Sequence, residues 1–169
     1  MKDNVALIGF MGTGKNSVGI SLAKRFNKKF IDTDILIEKL AGKSIPKIFK
    51  EDGEIKFREL EIEAIKKVAK MKNVVISCGG GVVLNQINID RLRKNSKIIL
   101  LTASPNVILK RIKSGKQNRP LLKVSNKLNT VKQLLSLRKP LYKMSADYTI
   151  DTSRLNEGKV VNKTIELLR

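Results

Sequence analysis

The chain has 169 residues, with 35 Lys and Arg against 15 Asp and Glu, one cysteine and no histidine. A chain of this length forms one domain that buries roughly 70% of its unfolded surface, so it needs neither disulfides nor a structural metal to fold. The lone Cys78 and the missing histidines exclude disulfide frameworks, Cys/His zinc sites and every mechanism that uses a histidine base.

Short β-branched runs alternate with longer helical stretches along the chain. Strands are predicted over 5–10, 30–31, 74–76, 98–101 and 148–150, and several of these runs are nearly continuous in apolar residues. Such runs are expected of strands buried on both faces of a parallel sheet. Helices are predicted over 16–26, 33–40, 46–50, 54–71, 89–94, 105–113, 131–144 and 159–168. Ser104-Pro105 supplies an N-cap followed by a proline at the first helical position, and Gly42 follows the helix ending near Ala41. The segment 114–129, rich in Lys, Asn, Ser and Gly, is expected to be a lid rather than a linker.

The net charge of +20 invites a nucleic-acid reading. The basic residues, however, are scattered over the whole chain, aromatic residues make up 4%, and no nucleic-acid-binding motif is present. A lysine-rich solvated surface is expected, with no nucleic-acid partner. The start MKDNVALIGF lacks a signal-peptide pattern and its apolar run is too short to span a bilayer. A cytoplasmic protein without membrane contact is expected.

The strongest motif is Gly9-Phe10-Met11-Gly12-Thr13-Gly14-Lys15-Asn16-Ser17, directly after the first strand and before a helix. Small residues there let consecutive backbone N–H groups converge on phosphate oxygens. The helix N-terminus adds partial positive charge, and Lys15 reaches the β and γ phosphates. One position departs from the pattern: Asn16 stands where a Ser or Thr hydroxyl usually binds Mg²⁺. A carboxamide oxygen is an acceptable hard ligand, with Ser17 or water as substitutes, and weakened catalysis is the alternative.

Asp32-Thr33-Asp34 ends the second strand, where i, i+2 spacing in extended chain points both carboxylates to one side. One carboxylate then serves the metal through water and the other an attacking hydroxyl, or Asp32 or Thr33 simply caps the next helix. Arg58 and Glu61 share a helix face at i, i+3, ordinarily an exposed pair. Ser77-Cys78-Gly79-Gly80-Gly81 follows the third strand and lets a ligand lie against backbone N–H groups. Cys78 reads as a small core residue. Taken singly, Arg119 and Arg138 read as surface charges; combined with the phosphate loop, Arg119, held extended by Pro120, becomes a candidate to close over a transferring phosphate. Arg138 precedes Pro140, a proline expected to kink or end its helix, and offers a planar fork to a carboxylate.

In this order GFMGTGK, DTD, IFKEDGEIKFRELE, SCGGGVV, RPLL, RKPLY and DTSR resemble the shikimate kinases of the P-loop nucleoside-monophosphate-kinase-like group, nearly end to end. The resemblance implies a three-layer α/β/α sandwich with a five-stranded parallel sheet. It also implies a single domain over 1–169, with substrate-binding helices about 33–61 and a lid about 112–125. The implied reaction transfers the γ-phosphate of ATP to the 3-hydroxyl of shikimate, with Mg²⁺, in a monomer. By the same resemblance Gly12, Thr13, Gly14, Lys15, Asn16 and Ser17 hold the ATP phosphates. Asn16 and Asp32 serve the metal, and Ser77 takes the place of a second nucleotide-binding carboxylate. Asp34 acts as base. Asp34, Phe49, Phe57, Arg58, Gly79, Gly80, Gly81 and Arg138 bind shikimate. Lys15, Asp34 and Arg119 are the catalytic set, while Arg111 and Arg154 flank adenine. A kinase for another polyol or sugar acid, and a nucleotide-binding module impaired by Asn16, are the competing readings.

Overall fold

The computed structural model describes residues 3–114 and 126–169. Five strands form one parallel sheet: β1 (Asn4–Ile8), β2 (Lys29–Asp32), β3 (Val74–Ser77), β4 (Ser96–Thr102) and β5 (Tyr148–Asp151), in the order β2-β3-β1-β4-β5. Among the described residues eight α-helices cover it: α1 (Lys15–Arg25), α2 (Thr33–Ala41), α3 (Ile45–Glu51), α4 (Gly53–Val68), α5 (Gln86–Asn95), α6 (Pro105–Ser114), α7 (Lys127–Ser145) and α8 (Glu157–Leu168). A 3-10 turn spans Val82–Leu84.

The two faces of β1 explain its unbroken apolar run. Val5 and Leu7 pack with Val18 and Leu22 of α1 and Val160 and Val161 of α8. Ala6 and Ile8 pack on the opposite face with residues of α4 to α7, among them Ile65, Leu92, Ile108 and Val131. Burial of each such side chain contributes about 1.5–3 kcal/mol, and neither face can be polar when both are covered. The result is the expected three-layer α/β/α sandwich. A smaller cluster of Ile37, Ile48, Phe57, Leu60 and Ala64 ties α2, α3 and α4 into a lobe beside β2.

Several boundaries differ from the sequence expectation. The first strand stops at Ile8, because the following Gly9 has φ +142 and begins the loop. β2 ends at Asp32, so Asp32 and Asp34 are not an extended i, i+2 pair; Thr33 already belongs to α2. Helix α7 starts at Lys127, capped by Asn126, whose side chain accepts the Asn129 N–H at 3.1 Å. It runs through Pro140 instead of ending there. Arg138 and Tyr142, buried on either side of that exposed proline, anchor the helix against a proline cost of about 3 kcal/mol.

All the motifs singled out after strands lie at one edge of the sheet. In register, Leu7 pairs with Ser77, Ser77 with Asp32, and Thr102 with Asp151. The loops beyond β1, β2 and β3 therefore converge at the C-terminal edge, where open parallel sheets bind ligands.

Candidate active site

The phosphate loop is held in shape by its own side chains. Gly12 and Gly14 have φ of +76 and +94, a left-handed conformation that L side chains rarely adopt. Thr13 is buried and its hydroxyl donates to the Phe10 carbonyl at 2.8 Å. The Lys15 ammonium donates to the Gly9 and Phe10 carbonyls at 2.9 Å each, closing the loop across its mouth. Ser17 donates to the Gly14 carbonyl at 3.2 Å. Arg111 of α6 reaches across, its Nη1 donating to the Gly12 carbonyl at 3.2 Å and the Thr152 hydroxyl at 2.9 Å, and its Nη2 to the Thr152 carbonyl at 2.9 Å. Its N–H groups thus clamp the loop to the end of β5. Arg154 stands exposed on the turn after β5 and, after the Ser153 hydrogen bonds, helps hold the Asp151 carboxyl below its ordinary value.

Beside the loop three side chains join α1, β2 and β3. Asn16 Nδ2 donates to Asp32 Oδ2 at 2.6 Å, and Ser77 Oγ donates to Asn16 Oδ1 at 2.5 Å. The other oxygen of Asp32 accepts the Asp34 N–H at 2.8 Å, so Asp32 does cap α2 as well as facing the loop.

A cavity of about 460 Å³ opens from this point, bounded by Met11, Asn16, Asp32 and Asp34 at one end and by Phe49, Phe57, Arg58, Glu61, Gly79, Gly80, Gly81 and Arg138 further in. The Phe49 and Phe57 rings pack at a 36° tilt with centroids 4.7 Å apart, and Arg58 lies 5.1 Å over the Phe57 ring. Arg138 donates to the Gly80 carbonyl at 3.3 Å and sits 5.8 Å from the Phe10 ring centroid. The Tyr142 hydroxyl donates to the same carbonyl, and burial pushes its pKa up to about 12.

The Arg58–Glu61 pair is not the exposed pair expected. Glu61 Oε2 accepts from Arg58 Nη1 at 3.0 Å, and the Glu61 side chain is 1% exposed. Its Oε1 has no hydrogen-bond partner among the described residues. Burial raises the carboxyl pKa above its ordinary value, against the opposing pull of Arg58. Glu61, read from the sequence only as half of an exposed pair, lines the cavity, and the Thr33 hydroxyl accepts the Gly79 N–H at 3.0 Å. The i, i+3 spacing to Arg58 was the one available signal. Cys78 is buried, and burial pushes its thiol pKa up, as a core cysteine requires. Arg119, Pro120 and most of the expected lid about 112–125 lie outside the described residues.

A second cavity of about 530 Å³ lies between α7 and the ends of β4 and β5, lined in part by Thr13, Ser104, Lys139 and Ser153. Neither Arg111 nor Arg154 lines it.

Met11 and Asn16 of the phosphate loop thus share one cavity with a cationic, glycine-backed pocket. The family model for shikimate kinase matches residues 11–169. The chain belongs to the shikimate kinase family. It is 50% identical to the shikimate kinase of Caldanaerobacter subterraneus subsp. tengcongensis over 96% of this chain and 94% of that one. It is 45% identical to that of Pelotomaculum thermopropionicum, over 98% and 95%. The shikimate kinase of Acinetobacter baumannii, solved in complex with shikimate, superposes with a TM-score of 0.93 at 34% identity, covering 98% of this chain and 92% of that one. A shikimate kinase fold therefore carries the cavity.

Proposed function

We propose that this chain transfers the γ-phosphate of ATP to the 3-hydroxyl of shikimate, giving shikimate 3-phosphate and ADP. The observation that carries the reading is the shared cavity, which brings Met11 and Asn16 of the phosphate loop together with Asp32, Asp34, Arg58 and Arg138. A donor nucleotide and a small anionic acceptor can meet there without solvent between them, which is what phosphoryl transfer chiefly asks of a protein.

In this reading the backbone of Gly12 to Ser17 cradles the ATP phosphates, and Lys15 stabilises charge on the transferring group. The guanidinium forks of Arg58 and Arg138 take the acceptor carboxylate, Phe49 and Phe57 wall the ring, and Gly79 to Gly81 let it approach the backbone. Asp34 orients the attacking hydroxyl and accepts its proton as the new O–P bond forms and the bond from the γ-phosphorus to the bridging oxygen breaks. Arg111 and Arg154 flank the adenine, and Arg119 serves the phosphates from the lid. The enzyme acts as a monomer in the cytoplasm, without nucleic acid or membrane.

Magnesium belongs to this reading as the counter-ion of ATP. The fit rests on the donor chemistry. Asn16 Oδ1, the Asp32 carboxylate and Ser77 Oγ are hard oxygen donors within one hydrogen-bonded group. Among the described residues no set of three or more His, Cys, Asp or Glu forms a cage, which suits a cation shared between one carboxylate and substrate phosphates. Asn16 and Asp32 would hold it, and when bound it neutralises charge on the β and γ oxygens.

Phosphorus NMR of the product tests the reading. A phosphate monoester on the 3-oxygen of shikimate supports it, and ester formation at another hydroxyl, or none, overturns it.

A further inference from the structure

An asparagine at a metal position has an ambiguity that a serine or threonine lacks. Its carboxamide has two orientations of nearly equal shape, one presenting oxygen lone pairs to a cation and the other presenting N–H protons. Here two neighbours break that symmetry from opposite sides. Asp32 Oδ2, which only accepts when ionised, takes Nδ2 at 2.6 Å. Ser77 Oγ donates to Oδ1 at 2.5 Å. The Ser77 side is built into the sheet: the residue is 2% exposed, ends β3, and is register partner of both Leu7 and Asp32. Asp32 is the weaker of the two restraints when a cation is present, because the cation and Nδ2 then compete for the same carboxylate. Ser77 carries no charge and keeps its hold on Oδ1, whose second lone pair stays available.

From this arrangement we infer that Ser77 is a positioning residue that fixes the Asn16 carboxamide with its oxygen available to the nucleotide-bound cation, so that Asn16 and Ser77 act as a coupled pair setting the metal dependence of nucleotide binding. The inference rests on the kinase reading for the identity of the ligand but not on acceptor chemistry. Asn16 replaces a hydroxyl at no loss provided that Ser77 holds it. Without Ser77 the amide can turn its N–H groups toward the cation.

The test is calorimetric titration of ADP with and without Mg²⁺, which reads metal dependence with no turnover. Expected is tighter binding of MgADP than of metal-free ADP by the parent chain. Ser77→Ala should cut that enhancement by about tenfold, within the range for groups that orient metal ligands, while metal-free ADP binds within about twofold of the parent. Ser77→Thr, which keeps the hydroxyl, should restore it. In the Asn16→Ser background Ser77→Ala should change the enhancement by less than about twofold, because the shorter hydroxyl has no amide to orient. Equal losses in both backgrounds, an unchanged enhancement in Ser77→Ala, or no enhancement in the parent would each overturn the inference. Unchanged metal-free ADP affinity shows that each variant is folded. Failure of the kinase reading shows elsewhere, as absent phosphorylation of shikimate by a chain that still binds ADP.

Discussion

The Arg58 guanidinium packs against Gly81 so closely that a β-carbon on that glycine would overlap Nη1 and lie 2.8 Å from both Cζ and Nη2. The glycine is therefore the seat of the arginine. Salt bridges of 3.0 Å to Glu54 and Glu61 hold the other side of the same group. Gly81→Ala must push Arg58 off the acceptor pocket. Because misplacement of about 1 Å in such sites costs up to about a hundredfold, the KM for shikimate should rise at least about tenfold. The KM for ATP should stay within about twofold. Steady-state kinetics with each substrate varied checks the split.

The proposed function puts Lys15, on the phosphate loop, and Asp34, at the start of α2, at the two sides of the transfer. Lys15→Met and Asp34→Asn should each leave less than about 1% of turnover, a loss near 3 kcal/mol in the barrier. Near-parental kcat in either variant contradicts the assigned roles.

Glu61 gives the fold a pH signature. Its folded-state pKa is raised above the ordinary value of 4.5, first by burial. Between the two values the folded chain binds more protons than the unfolded one. The stabilising effect of the neutral form is complete below the unfolded value and is lost as pH rises through the folded one. Glu61→Gln removes that loss. Urea-unfolding midpoints of parent and variant should therefore diverge in the variant's favour as pH rises above the ordinary value of 4.5, and parallel midpoints contradict the assignment.

Arg111 should matter to stability as well as to ATP. Its three hydrogen bonds bind the Gly12 carbonyl to Thr152, joining the phosphate loop to the end of β5. Arg111→Ala should lower Tm by about 5 °C, the equivalent of roughly 2 kcal/mol of charge-assisted hydrogen bonding, and raise the KM for ATP. Lysine should not rescue it, since one ammonium cannot span both partners in the same geometry. Thermal unfolding of the two variants decides.

How much of this was legible in the sequence depends on the range of the signal. Residues 5–8 announced a doubly buried strand because both faces of β1 are covered, and GTGK announced the loop because its chemistry is local. Helix ends were read less well. The Asn126 cap of α7 and the start of α5 at Gln86 lack the apolar periodicity that marks a helix interior. The helix does not end at Pro140, one of the two outcomes expected there, and Arg138 and Tyr142 are buried on either side of the proline. In the site, the cationic pocket was readable only through resemblance, since Arg58 and Arg138 are 80 positions apart. Asn16, Asp32 and Ser77 were likewise grouped only through resemblance, and the hydrogen bonds that bridge them were not readable, because strand register brings them together.

The central claim is that the cavity joins ATP to shikimate and to no other common acceptor. Coupled ADP release with ATP and Mg²⁺, comparing shikimate with quinate, gluconate and nucleoside monophosphates, tests it most directly, with Asn16→Ser run beside the parent chain. The account predicts shikimate-dependent turnover by the parent itself, with the other acceptors at the background rate of ATP hydrolysis. Turnover with another acceptor, turnover only after Asn16→Ser, or silence of both proteins with every acceptor would contradict it.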